Sequence, residues 1–120
     1  MESDYDGLRS FIRSCDAIGE CITIDGADWN LEIGALTEAA SEFLDEPPMI
    51  LFDKIRDYPA GFRVLSLPFG SAKRFALALG LPPDKSKLEL VRLAANKIKN
   101  AKALPPTVVD HGPILQNVMT

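Results

Sequence analysis

Four consecutive apolar residues, Met49, Ile50, Leu51 and Phe52, are followed by Asp53 and preceded by Pro47 and Pro48. A run this short has strand length rather than helix length, and its lack of polar alternation suits a strand covered on both faces. The run therefore predicts a central strand in a small sheet with other layers on either side. The chain of 120 residues suits one domain, and its 47% hydrophobic content is enough to bury a single core.

The flanking periodicity supplies those layers. Leu8, Phe11, Ile12 and Cys15 recur at helical spacing, so residues 7–18 read as an amphipathic helix that Asp4 or Asp6 could cap and Gly19 could end. Residues 21–25 alternate as a short strand. Asp28 or Asn30 can cap a second helix with Ile33, Leu36, Ala40, Phe43 and Leu44 on one face and Glu32 near the positive end of its dipole, closed by Pro47 and Pro48. After the apolar run, the TyrProAlaGly turn at 58–61 leads into a strand expected over 62–67. Ser71 can cap a short helix presenting Phe75, Ala78 and Leu79 and ended by Gly80, Pro82 and Pro83. SerLysLeuGlu at 86–89 has capping-box spacing and opens a fourth helix, with Leu88, Val91, Ala95 and Ile98 on its apolar side. Residues 105–110 resume as extended chain. The expected fold class is α/β (α+β): one domain with a small sheet of short strands packed with about four helices, its strand order left open.

Charge divides the chain. Residues 1–53 hold thirteen acids and two bases, a balance of −11, and residues 54–120 hold eleven bases and four acids, a balance of +7, which sum to the net −4. Such polarity either orients the domain against a partner or pairs within the fold, and internal pairing is the simpler expectation. No apolar stretch approaches the roughly 20 residues that span a bilayer, and the acidic start lacks a signal-peptide layout, so a cytoplasmic protein without a membrane partner is expected. Lys85, Lys87, Arg92, Lys97, Lys99 and Lys102 read as a solvated helix face rather than a nucleic-acid site, given a pI near 4.9 and no recognition motif.

Groups that could carry chemistry are few. Cys15 and Cys21 lie six positions apart, too far for a CxxC knuckle, and read as reduced structural thiols. His111 is the sole histidine and falls beside Gly112 and Pro113 in a loop. A catalytic pair with Cys15, Cys21 or Ser66 would need hydrogen-bond contact that the sequence does not imply. No metal-ligand spacing occurs. GlySerAlaLysArg at 70–74 offers a weak anion site at a helix start, against an ordinary capped helix with exposed Lys73 and Arg74. Trp29 reads as a staple at the start of the second helix. No catalytic, cofactor-binding or metal residue is assigned. The apolar tail, with Ile114, Leu115, Val118 and Met119, is expected to dock on its own domain or a neighbour.

Four stretches taken together carry a resemblance: AlaAspTrpAsnLeuGluIleGlyAlaLeuThrGlu (27–38), PheAspLysIleArgAspTyrProAlaGlyPheArgValLeu (52–65), AlaLeuAlaLeuGlyLeu (76–81) and AspHisGlyProIleLeuGlnAsnValMet (110–119). In this order and spacing they resemble the N-terminal domain of the UbiD-type decarboxylases, and AspTrpAsnLeuGluIleGly looks most like the branch acting on hydroxybenzoates such as protocatechuate. The resemblance implies a carboxy-lyase acting on aromatic or unsaturated acids. Its prenylated FMN, divalent metal and potassium would sit in a later central domain, and a C-terminal segment would make the full enzyme a homo-oligomer. No cofactor is then expected on this chain alone. The implied organisation is an N-terminal domain over 1–104 and an extended lead-out over 105–120, as a fragment or separate subunit whose partners are the central and C-terminal domains. The alternative is a free-standing protein-interaction module without enzymatic activity. One departure is local: many relatives have asparagine or glycine near the end of the strand after the turn, where this chain has LeuSerLeuProPheGlySer (65–71).

Overall fold

The structure is a computed structural model and describes residues 7–116. In chain order it contains α1 (Leu8–Ala17), β1 (Cys21–Asp25), α2 (Glu32–Phe43), β2 (Met49–Asp53), β3 (Val64–Ser66), α3 (Ala72–Ala78) and α4 (Lys87–Lys99), then a short 3-10 turn at Pro113–Leu115. The sheet order is β1-β2-β3, which makes the apolar run the central strand. β1 lies parallel to β2, with Cys21 opposite Met49 and Asp25 opposite Asp53. β3 runs antiparallel to β2, with Ile50 opposite Ser66 and Phe52 opposite Val64.

The pleat of β2 sorts its side chains into two cores. Met49 joins Phe11 and Cys15 of α1, with Leu65 of β3 and Leu77 of α3 packed around them. Ile50 and Phe52 point the other way, onto Ala27 and against Ile33 and Ala40 of α2. A third cluster of Ala76, Leu81 and Leu90 holds α4 against α3. The result is a mixed three-stranded sheet between α1 with α3 on one face and α2 on the other, an α+β domain with α4 outermost. Thr37 adds a polar tie between α2 and the sheet: its hydroxyl lies 3.0 Å from the Ser66 hydroxyl and donates to the Ile33 carbonyl at 2.8 Å.

Several local expectations shift. Gly7 is the N-cap of α1, and the Ser10 hydroxyl bonds back to it; Asp4 and Asp6 lie outside the described residues. Neither Asp28 nor Asn30 caps α2 directly. Leu31 holds that position at φ 70, while the Asp28 carboxylate accepts from the Asn30 amide at 2.8 Å and Glu32 accepts from the Asp28 amide at 2.6 Å, so Asp28 organises the turn before the helix. β3 is shorter than 62–67 because the turn persists past Gly61 at φ 97, with the Phe62 amide still bonded to the Pro59 carbonyl, and because Leu67 leaves the strand at φ 55. Ser71 and Ser86 cap α3 and α4 as expected, the second in a full capping box with Glu89.

The largest correction concerns Arg74. Expected on the surface, it is completely buried. Its five N–H groups meet five acceptors: Nε donates to the Pro68 carbonyl, Nη1 to the Glu20 carbonyl and carboxylate, and Nη2 to the carbonyls of Pro47 and Leu67. Glu20 precedes β1, Pro47 precedes β2, and Leu67 follows β3, so one guanidinium closes the same end of all three strands. Glu20 also accepts from the Ser71 hydroxyl at 2.7 Å and pairs with Lys73 at 3.4 Å. Gly70 is required beside this plug, since a Cβ there would stand 2.8 Å from Nη2 of Arg74 and 3.0 Å from Cγ of Pro47.

Part of the charge asymmetry is paired inside the fold. Asp25–Lys54, Asp28–Arg56, Glu20–Lys73, Glu20–Arg74 and Glu46–Lys87 each join an acid of the first half to a base of the second, five of the six ion pairs among the described residues. The exposed pairs contribute little individually. The buried one is different, because removing a single partner strands the other charge.

Arg74→Met is therefore expected to lower unfolding free energy by about 3–5 kcal/mol, and Gly70→Ala by about 1–3 kcal/mol, both read by urea denaturation; wild-type midpoints would refute the plug. Acid should weaken α4 through its cap. The Ser86 hydroxyl, and then its amide, hold the Glu89 carboxyl below the usual carboxylate range. That contribution is present above the unfolded pKa and lost as pH falls through the lower folded value. Glu89→Gln should remove this acid limb from the pH dependence of thermal unfolding.

Candidate functional site

The residues singled out for chemistry do not converge. Cys15 is fully buried beside Phe11 and Met49. Burial pushes its thiol up, opposed by the Arg74 charge, and burial likewise raises Cys21, whose Sγ faces its neighbour's carbonyl at 3.8 Å. Thiols shifted this way carry little thiolate at neutral pH and are poor nucleophiles. Ser66 is engaged with Thr37 on the α2 side of the sheet. His111 is exposed on the segment after α4, in a shallow depression formed with Gly112, Pro113 and Gln116. No nucleophile and base are brought together among these groups.

The weak anion site weighed at 70–74 against an ordinary capped helix is filled from within. Ser71 and Arg74 both face Glu20, whose carboxylate takes the place an incoming anion would need. Only Lys73 of that stretch remains half exposed, and it too pairs with Glu20. Among the described residues no group of three or more His, Cys, Asp or Glu side chains could hold a metal ion. No described helix is long and apolar enough to cross a membrane.

Trp29 does not staple α2. The residue is 59% exposed, and the turn before α2 is held by hydrogen bonds to the Asp28 and Glu32 carboxylates. The basic run along α4 divides by position. Lys87 pairs with Glu46, Lys97 donates to the Leu79 carbonyl at the end of α3, and among the described residues neither Arg92 nor Lys99 is in an ion pair.

What the surface does offer is an apolar groove between α3 and α4, about 490 Å³, lined by Phe75, Leu81, Leu90, Val91, Ala95 and Ile98 among others. The helices that form it turn different faces inward than their periodicity implied. α3 buries Arg74 and Ala76 rather than Phe75, and α4 buries Leu90 and packs Ala94, leaving Leu88, Val91 and Ile98 between 62% and 65% exposed. The sequence carries the signal for this groove in the apolar side of α4, Leu88, Val91, Ala95 and Ile98. The buried arginine left a weaker trace: Pro47, Pro48 and Pro68 remove amide donors near the strand ends and leave carbonyls to be satisfied from elsewhere. Leu104, Val108, Val109 and Ile114 extend the exposed apolar surface along the segment after α4; Val118 and Met119 lie outside the described residues.

Comparison with known proteins places this geometry. The family described as the 3-octaprenyl-4-hydroxybenzoate carboxy-lyase N-terminal domain matches residues 12–94. Among solved structures, the vanillic acid decarboxylase of Sedimentibacter hydroxybenzoicus in its open form is similar at 27% identity with a TM-score of 0.72, over 88% of this chain. The closed form of the same enzyme is similar at 26% identity and a TM-score of 0.69, over 91% of this chain. In both cases the match spans only 22% of the decarboxylase chain. No curated protein matches in sequence.

The thiols give a direct check on the packing. Cys15 is expected to react with a disulfide reagent at neutral pH on the order of 100-fold more slowly in the folded chain than in urea. Rapid stoichiometric labelling of Cys15 in native buffer would contradict its placement in the core.

Proposed function

Because the chain belongs to the family of the 3-octaprenyl-4-hydroxybenzoate carboxy-lyase N-terminal domain, we propose that it serves as the non-catalytic N-terminal domain of a UbiD-like carboxy-lyase. One observation carries this reading: a fold that matches 88% of this chain makes up 22% of a decarboxylase chain. The distribution of chemistry supports it. The buried polar groups are spent on closing the sheet, and the described surface includes an apolar groove between α3 and α4.

On this reading the enzyme decarboxylates a hydroxybenzoate-type aromatic acid or an unsaturated acid in the cytoplasm, as a homo-oligomer. Prenylated FMN, with its divalent metal and potassium, belongs to the remainder of the enzyme. The described residues of this chain do not fit a metal, since they supply no cluster of three donors, and no step of the reaction is assigned to them. Residues 105–120 act as the lead-out from the domain, over 1–104, toward the cofactor-binding part. The domain's contribution to catalysis is then mechanical: it presents a rigid surface against which that part is held.

The test is reconstitution. The 120-residue chain alone is expected to release no carbon dioxide from 4-hydroxybenzoate, protocatechuate or vanillate, and to give no absorbance change with prenylated FMN. Mixed with the separately produced remainder of a UbiD-like enzyme, it should raise that protein's melting temperature and its turnover. Turnover by the isolated chain would remove the non-catalytic assignment. A complete lack of effect on the remainder would favour a free-standing interaction module instead.

A further inference from the structure

The α3–α4 groove has the chemistry of a protein seam. A small-molecule site needs a few polar groups aimed inward to fix orientation, and Lys87, the charged residue in this lining, is engaged with Glu46. Leu88, Val91, Ala95 and Ile98 follow one another at spacings of three, four and three along α4, the pattern of one side of a helix–helix contact. Phe75 of α3, 52% exposed, forms the opposite wall. Arg92 and Lys99, seven residues apart, run along one edge of the stripe with no ion pair among the described residues. A second copy packed symmetrically through α4 would set these cations against their own equivalents, so the edge selects against self-pairing and for an acidic neighbour. The backbone leaves the groove-lining helix directly into residues 100–112, which form no helix or strand and carry Leu104, Val108 and Val109 exposed. Polypeptide beyond that segment stays tethered to the groove-lining helix within the reach of thirteen residues.

We propose that the α3–α4 groove seats an amphipathic helix with an acidic flank, contributed by the polypeptide that completes the decarboxylase. The inference rests on the N-terminal-domain reading above and names the surface through which that domain is held. Val91 and Ile98 supply the apolar anchors, Phe75 the wall, and Arg92 with Lys99 set the register of the incoming helix by charge.

Titration calorimetry of the 120-residue chain against the separately produced remainder of the enzyme tests this, with thermal unfolding as the folding control. Val91→Glu with Ile98→Glu should weaken binding at least about 30-fold, without lowering the melting temperature, because both side chains are already exposed. Arg92→Glu with Lys99→Glu should weaken it less and flatten its salt dependence. Trp29→Ala, outside the groove, should bind as wild type. If the wild-type chain binds and both groove variants bind equally well, this surface is wrong and the N-terminal-domain reading stands. If the wild-type chain does not bind at all, both fall. Self-association that Val91→Glu with Ile98→Glu abolishes and the remainder does not displace would assign the groove to a second copy and overturn the proposal.

Discussion

A single guanidinium decides whether this sheet can close. Three strands end in one place with carbonyls that backbone amides satisfy only in part: Glu20 accepts from the Met49 amide and Leu67 from the Gly70 amide, while the prolines at positions 47, 48 and 68 supply no donors there. Water could satisfy those oxygens only by entering the core. Arg74 satisfies four of them at once and brings its own counter-charge in Glu20. A lysine would offer fewer donors in no fixed fork, and an apolar residue would offer none. Desolvating such a pair is costly, which is why five hydrogen bonds and a packed Gly70 accompany it.

From that plug the rest of the layering follows. Turning Arg74 inward fixes the rotation of α3, which places Ala76 and Leu77 against their neighbours and leaves Phe75 outside. The rotation of α3 in turn sets which face of α4 finds cover. Leu90 and Ala94 fill the contact, and the longer apolar stripe beside them remains in water. The interior requirement of one polar residue thus propagates outward into an exposed apolar surface. The acidic and basic halves of the chain, meanwhile, meet in five ion pairs that join four acids of the first half to five bases of the second.

The parts of this fold that depend on neighbours in sequence were legible from it. The apolar run at 49–52 announced a central strand, Ser86 and Glu89 announced a capping box, and residues 21–25 announced a strand with its full extent. What escaped was set by residues far apart. Arg74 reads as a surface cation in its own helix, and only Glu20, 54 residues away, makes it a core residue. The apolar stripe of α4 is legible as a stripe, but periodicity reports that a face wants cover and not whether its own domain supplies it. At Trp29 the turn is held by hydrogen bonds among Asp28, Asn30 and Glu32, and the residue stays exposed.

The separation between Glu20 and Arg74 also orders events during synthesis. A nascent chain that has reached residue 70 contains all three strands, yet the carbonyls of Glu20, Pro47 and Leu67 still lack their shared donor. Up to residue 70 the chain carries fourteen acids against five bases, and both countercharges of Glu20, Lys73 and Arg74, are still to be made. The arginine is therefore the last of the sheet-closing groups to be made, after the carbonyls it serves and before the α4 residues that line the groove.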